Sequence, residues 1–229
     1  VTISNESRSR LKKVFEPIAL GLGRLGLTPD GLTLIGLGIT VVGGLLLAQR
    51  LWLAGGLVIF LGGVFDLFDG TLARATGRVS PFGAFMDSVF DRVGEVIVYL
   101  GLVVGLQDLG ILHGTVLAAA AMGSALLVSY TRSRSEGLGF TTGTGMAAVG
   151  LMPREIRLVI LSAGLMLGGL LGTEPVLVDG GAGGAAFPVG AYAIFAALVV
   201  ITIGATITVI QRFLHVRNQA RSAARPTTQ

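Results

Sequence analysis

Four aspartates fall within a 26-residue stretch whose other residues are mostly apolar: Asp66, Asp69, Asp87 and Asp91, in GVFDLFDGTLARATGRVSPFGAFMDSVFDRVGE. Asp66 and Asp69 are three residues apart and Ala73 follows Asp69 by four, so all three share one helix face. Gly83, Asp87 and Asp91, spaced four and four, share a second face. A helical hairpin turning at Ser80-Pro81 can bring the two faces together. Four carboxylates in one apolar pocket repel strongly, and protonating all of them leaves polar groups without partners. Hard divalent cations resolve the conflict. A ligand set made only of oxygen suits Mg²⁺, Mn²⁺ or Ca²⁺ rather than zinc. Two such ions can clamp a phosphoryl group. Gly70 and Gly83 remove side chains where a ligand would approach the backbone, and Arg74 offers a fork that matches phosphate oxygens.

Two plainer readings compete. The aspartates could be structural ion pairs with Arg74, Arg78 and Arg92. They could instead line a cation path in a divalent-cation transporter, although acids at one end of two helices, with none midway along the other spans, argue against a through-path. Other chemistry is excluded by composition. There is no cysteine, so thiolate metal sites and cysteine nucleophiles are absent. The two histidines, His113 and His215, are too far apart in sequence to suggest a zinc site.

The elements that must position the aspartates are membrane helices. Hydrophobic residues make up 52% of the 229-residue chain and charged residues only 13%, about half the usual share for a soluble domain. The apolar runs predict six spans, at 32–48, 51–75, 82–106, 112–134, 157–171 and 189–213, the fifth being the shortest. The 36 glycines fit close helix packing in a bilayer. Ser7–Leu25 interleaves apolar and basic residues and reads as an amphipathic helix lying on the membrane surface. Thr28-Pro29-Asp30 breaks it, with Thr28 or Asp30 as cap of the next helix. The polar opening, VTISNESRSRLKK, lacks the apolar core of a cleavable signal. The expected architecture is therefore all-α: one membrane domain over 1–229, with an amphipathic N-terminal segment (1–28), six spans, a Gly-rich loop at 179–186 and a tail at 217–229.

Orientation follows from the basic residues. With the N-terminus inside, only Arg50 of the 17 lysines and arginines falls on the outer side. This predicts a multi-pass protein of the cell (inner) membrane, with both termini and the aspartates cytoplasmic. The net charge of +4 then points to lipid headgroups and phosphorylated substrates, with no nucleic-acid partner expected. Trp52 and Tyr99 are expected as aromatic anchors near the outer half or interface, and His113 as an outer loop residue. Glu95, one turn beyond Asp91, is expected to hydrogen-bond within the bundle or to floor the pocket.

The string Asp66-x2-Asp69-Gly70-x2-Ala73-Arg74-x8-Gly83-x3-Asp87-x3-Asp91 resembles the signature of the CDP-alcohol phosphotransferases, with every fixed position filled. The resemblance implies that Asp66, Asp69 and Asp87 hold metal, two Mg²⁺ or Mn²⁺ ions, with Asp91 as further ligand or general base. It implies that Asp69, Gly70, Ala73, Arg74 and Gly83 contact a CDP-lipid, CDP-diacylglycerol or an archaeal-lipid equivalent. It also implies a homodimer. Transfer to an acceptor alcohol would release CMP.

The remaining arginines bear on the acceptor. Arg132 and Arg134 end the fourth span, Arg154 and Arg157 open the fifth, and Arg212 closes the sixth. Basic residues flank inner helix ends for topological reasons alone, and that account suffices for Arg217, Arg221 and Arg225. The run Ser129-Tyr130-x-Arg132-x-Arg134-x-Glu136, the pair Arg154-x2-Arg157 and Gln211-Arg212 are, however, similar to the prokaryotic phosphatidylinositol-phosphate synthases. On that resemblance Ser129, Arg132, Arg154 and Arg212 would hold the phosphate of an inositol phosphate. Met152-Pro153-Arg154-Glu155-Ile156-Arg157 departs from the subgroup's Glu-Arg-Pro-Glu-Arg, so glycerol 3-phosphate stands as the alternative acceptor.

Overall fold

The computed structural model describes residues 5–107, 113–140, 146, 149–173 and 189–223, with side chains within 15–222. Seven helices occupy these residues: α1 (Asn5–Arg24), α2 (Pro29–Ala48), α3 (Trp52–Ala75), α4 (Pro81–Leu106), α5 (Gly114–Gly137), α6 (Arg154–Leu171) and α7 (Val189–Ala223). The predicted spans coincide with α2 to α7 to within a few residues, except that α7 runs ten residues further. The predicted 179–186 loop lies outside the described residues. Four helices, α2, α3, α5 and α7, are long and apolar enough to cross a membrane. Of the other helices, α4 and α6 carry Asp87, Asp91, Arg92 and Glu95, and Arg154, Glu155 and Arg157. Their charge is what lowers their apolar character, and it is gathered at the site. The outward faces are apolar: Leu57, Leu61, Leu100, Val104, Val159 and Ile203 are all exposed, as a bilayer rather than water requires.

Local chemistry fixes the helix starts. Thr28 caps α2, its Oγ accepting from the Gly31 N–H at 3.1 Å, with Pro29 in the first turn. Ser80 caps α4 in the same way through the Gly83 N–H at 2.9 Å, with Pro81 following. The same two-residue device thus starts both α2 and α4.

The packing order closes a ring: α2 on α3, α3 on α6, α6 on α7, α7 on α5, α5 on α4, and α4 on α2. α1 packs on α3, with Phe15 against Phe68 at a ring separation of 5.3 Å. The α2–α4 seam depends on missing side chains. A Cβ at Gly101 would overlap the Gly44 carbonyl, so the two backbones meet directly. The main core fills the end of the ring away from the aspartates, built from residues such as Leu47, Leu102, Ala121, Leu165, Leu198 and Ile201.

Two expectations are revised here. Trp52 and Tyr99 are not lipid-facing anchors; both are buried in the bundle, 2% and 1% exposed. Gly105 opens the space that receives the indole, and Trp52 Nε1 donates to Thr173 Oγ1 at 2.9 Å, so an internal partner replaces the interface. In addition, α3 and α4 do not pack as a tight hairpin. Both lean on α2, which joins them.

Candidate functional site

The aspartates lie in the half of the ring opposite the main core. Asp66 and Asp69 project from the last turns of α3, and Asp87 and Asp91 from the first turns of α4. Their charges act on one another: Asp69 feels Asp87 and Asp66, Asp87 feels Asp66, and Asp91 feels both Asp66 and Asp87. The four therefore form one electrostatic cluster across two helices.

α2 builds the platform beneath them. Thr33 Oγ1 donates to Asp69 Oδ2 at 2.8 Å, and the Gly70 N–H donates to Asp69 Oδ1. One turn on, a Cβ at Gly36 would stand 3.0 Å from Asp66 Oδ1, so glycine there leaves room for that carboxylate. Neither Thr33 nor Gly36 stood out in the sequence. Each is an ordinary residue of a membrane helix, and only the α2–α3 crossing places them against the aspartates.

A cation enters from α6. Arg154 donates from one terminal nitrogen to Asp66 Oδ2 at 2.8 Å, and its other terminal nitrogen lies 2.8 Å from Asp91 Oδ1. Arg92 approaches Asp91 Oδ2 at 3.3 Å and also donates to the Ser88 carbonyl at 2.9 Å. The ion pairs of Asp66 and Asp91 are thus with Arg154 and Arg92, whereas Arg74 folds back over Gly70, near enough that a Cβ there would be 3.2 Å from its guanidinium. Among the described residues no three acidic or histidine side chains converge tightly enough to hold an ion as they stand; the Arg154 fork stands between two of them. The donor set nonetheless fits a hard divalent cation. All its donors are oxygens, and two carboxylates from different helices already close on one positive group.

Below this layer, Arg157 Nε and one terminal nitrogen donate to Glu95 Oε1 at 3.0 and 2.7 Å, and its third donor reaches the Met152 carbonyl at 3.0 Å. Glu95 does hydrogen-bond within the bundle, as its position one turn past Asp91 suggested. Thr40, Gly94, Glu95, Tyr99, Arg154 and Arg157 share the wall of a cavity of about 50 Å³ beneath the aspartates.

The other predicted acceptor residues lie on α5 and α7. Arg212 is 4% exposed; its Nε donates to the Val149 carbonyl at 3.0 Å and a terminal nitrogen donates to the Val128 carbonyl. Ser129, the residue after Val128, is buried, and Arg132 is exposed and pairs with Glu136 at 3.0 Å. The charges of Arg132 and Arg157 act on Arg212. The structure thus brings Arg154 to the aspartates, and gathers Arg132, Arg157 and Arg212 as a second, positive group. His215 stands within 3.0 Å of Gln219 on α7, and His113 occupies the position before α5 with a left-handed backbone, φ 63°.

The chain resembles known proteins over most of its length. The chain is 35% identical over 154 residues to the archaetidylinositol phosphate synthase of Pyrococcus horikoshii, covering 67% of this chain and 77% of that one. It is 32% identical over 232 residues to the phosphatidylinositol phosphate synthase of Streptomyces avermitilis, covering 96% and 85%. Among solved structures it resembles Mycobacterium tuberculosis phosphatidylinositol phosphate synthase in complex with manganese and citrate, with TM-score 0.72, 27% identity and coverage of 89% and 88%. The same enzyme with CDP-DAG bound matches with TM-score 0.70. The CDP-alcohol phosphatidyltransferase family model matches residues 26–207, from just before the α2 cap into α7 and across all four aspartates, and the chain belongs to that family.

Proposed function

We propose that this enzyme transfers a phosphatidyl group from CDP-diacylglycerol to inositol 1-phosphate, giving phosphatidylinositol phosphate and CMP. The observation that carries the reading is the meeting of Asp66 and Asp91, from two helices, on a single cation. That is the place a pyrophosphate needs positive charge.

Asp66, Asp69, Asp87 and Asp91 would hold one or two divalent ions, Mg²⁺ or Mn²⁺. Such ions, when bound, neutralise charge on the pyrophosphate and on the departing CMP. Thr33 and the Gly70 N–H fix the Asp69 carboxylate, so one ligand is set before any ion arrives. Gly70, Ala73, Arg74 and Gly83 would receive the nucleotide and pyrophosphate. Asp91 accepts the proton from the acceptor hydroxyl. The oxygen attacks the phosphorus that bears the lipid, and the bond to CMP breaks with its electron pair going to CMP. Holding both substrates in line supplies much of the rate.

The acceptor's phosphate is assigned to Arg154, Arg132, Arg212 and Ser129. Arg212 supports this: its buried guanidinium is held by carbonyls and not by a carboxylate, and of the charges near it Arg132 and Arg157 are paired with Glu136 and Glu95, which leaves the Arg212 charge as the excess. That surplus of positive charge suits a phosphate dianion. A neutral alcohol has no use for it. The relatives, an archaetidylinositol phosphate synthase and a phosphatidylinositol phosphate synthase, agree on inositol phosphate and divide on the lipid, so an archaeal-lipid donor is the second reading. All six helices of the ring are read as spans, with the aspartates and both termini cytoplasmic, in a homodimer.

Labelled CMP release, measured against inositol 1-phosphate, glycerol 3-phosphate and free inositol with each donor lipid, tests the assignment. Turnover with inositol 1-phosphate alone is expected. Turnover with glycerol 3-phosphate and none with inositol 1-phosphate would overturn it.

A further inference from the structure

Two arginine–carboxylate rungs join α6 to α4, one above the other. The spacing is four residues on α4, from Asp91 to Glu95, and three on α6, from Arg154 to Arg157. The deep rung is saturated: Arg157 is 2% exposed, puts two nitrogens on Glu95 and a third on the Met152 carbonyl. The shallow rung differs. Arg154's side chain is 32% exposed, and its two contacts go to Asp66 and Asp91, which belong to different helices. Both carboxylates are ones that a divalent ion would need.

Charge balance favours exchange at this rung. Three carboxylates, Asp66, Asp87 and Asp91, share Arg154 and Arg92, and Asp69 adds a fourth beside them, so the cluster keeps a negative excess that draws further positive charge. A guanidinium that bridges Asp66 and Asp91 occupies their oxygens and must release them before those oxygens can ligate anything else. The deep rung holds α6 in register meanwhile, so the released group moves as a side chain and not with its helix.

We propose that Arg154 is a tethered counter-cation: it holds Asp66 and Asp91 together while no divalent ion is bound, and ion binding displaces it and frees it for the acceptor's phosphate. This rests on the reading of the aspartates as metal ligands. Ion binding and phosphate binding then reinforce each other, because each vacates what the other requires.

The test uses the full chain in lipid nanodiscs, stripped of metal, as wild type and as R154Q, R154K and D66N. Mn²⁺ is titrated and the free ion followed by electron paramagnetic resonance, with thermal unfolding recorded at zero and saturating Mn²⁺. R154Q is expected to bind Mn²⁺ about tenfold more tightly than wild type. Its metal-free melting temperature falls below wild type, and the gap narrows on saturation. R154K keeps the charge and the fold but cannot fork to two carboxylates, so it binds Mn²⁺ more tightly than wild type by a smaller factor. R154K at or below wild-type affinity overturns the proposal, even where R154Q does not fold without metal. If wild type binds no Mn²⁺, or D66N binds it as wild type does, the metal-ligand reading itself fails and takes the proposal with it.

Discussion

Asp69 and Asp91 show how two carboxylates of one motif come to have separate tasks. Asp69 is buried and clamped by Thr33 and the Gly70 N–H; it has little freedom to move. Asp91 is held only by charged neighbours that substrates could replace. Asp91→Asn is therefore expected to cut turnover by about a thousandfold while CDP-lipid binding persists. Single-turnover CMP release alongside equilibrium binding checks this, and equal loss of both would remove the base role. Thr33→Val removes the hydroxyl that positions Asp69. It should weaken Mn²⁺ binding by about ten- to a hundredfold, with Thr33→Ser restoring most of it. The aspartates themselves were legible in the sequence, since an acid in an apolar run demands an account. Thr33 and Gly36 were not, because nothing in their local sequence shows which helix crosses over them.

At the scale of the helix, α2 and the α4–α6 rungs set the geometry. The spans could be read to within a few residues because apolar length and the Thr28-Pro29 and Ser80-Pro81 starts are local signals. The partner of each helix could not. A hairpin of α3 on α4 was the natural expectation, yet both pack on α2, through contacts such as Gly44 with Gly101. Trp52 misled for the same reason: an aromatic residue at a span's end looks like an interface anchor until Gly105 is seen to make room for it. Gly101→Ala should push α2 from α4, lowering both melting temperature and activity. Glu95→Gln leaves the buried Arg157 charge without its partner. The expected loss is about 3–5 kcal/mol of stability, read as a drop in melting temperature. A variant that melts as wild type would show that the deep rung is not structural.

Over the whole molecule, charge and packing are segregated. Arg132, Arg154, Arg157, Arg212 and the aspartates occupy one half of the ring, and the main apolar core fills the other. Orientation is testable directly, because the chain has no cysteine of its own. A single cysteine introduced at His113 is expected to react with an impermeant maleimide added outside intact cells. One at Arg78 should react only after the membrane is opened. The reverse pattern would invert the topology. Positional bias of basic residues supplies the expected orientation, but it cannot single out Arg132 or Arg212, because a basic residue near a helix end looks the same whether it anchors the chain or faces a phosphate; only the motif likeness around Ser129–Glu136 and Gln211-Arg212 marks them.

The core that plugs the far half of the ring has a consequence for traffic. With Leu102, Leu198 and Ile201 filling that half, the described residues leave no corridor through the ring from one leaflet to the other. Head group and tails must be joined, and the finished lipid let go, in the monolayer that the aspartates face.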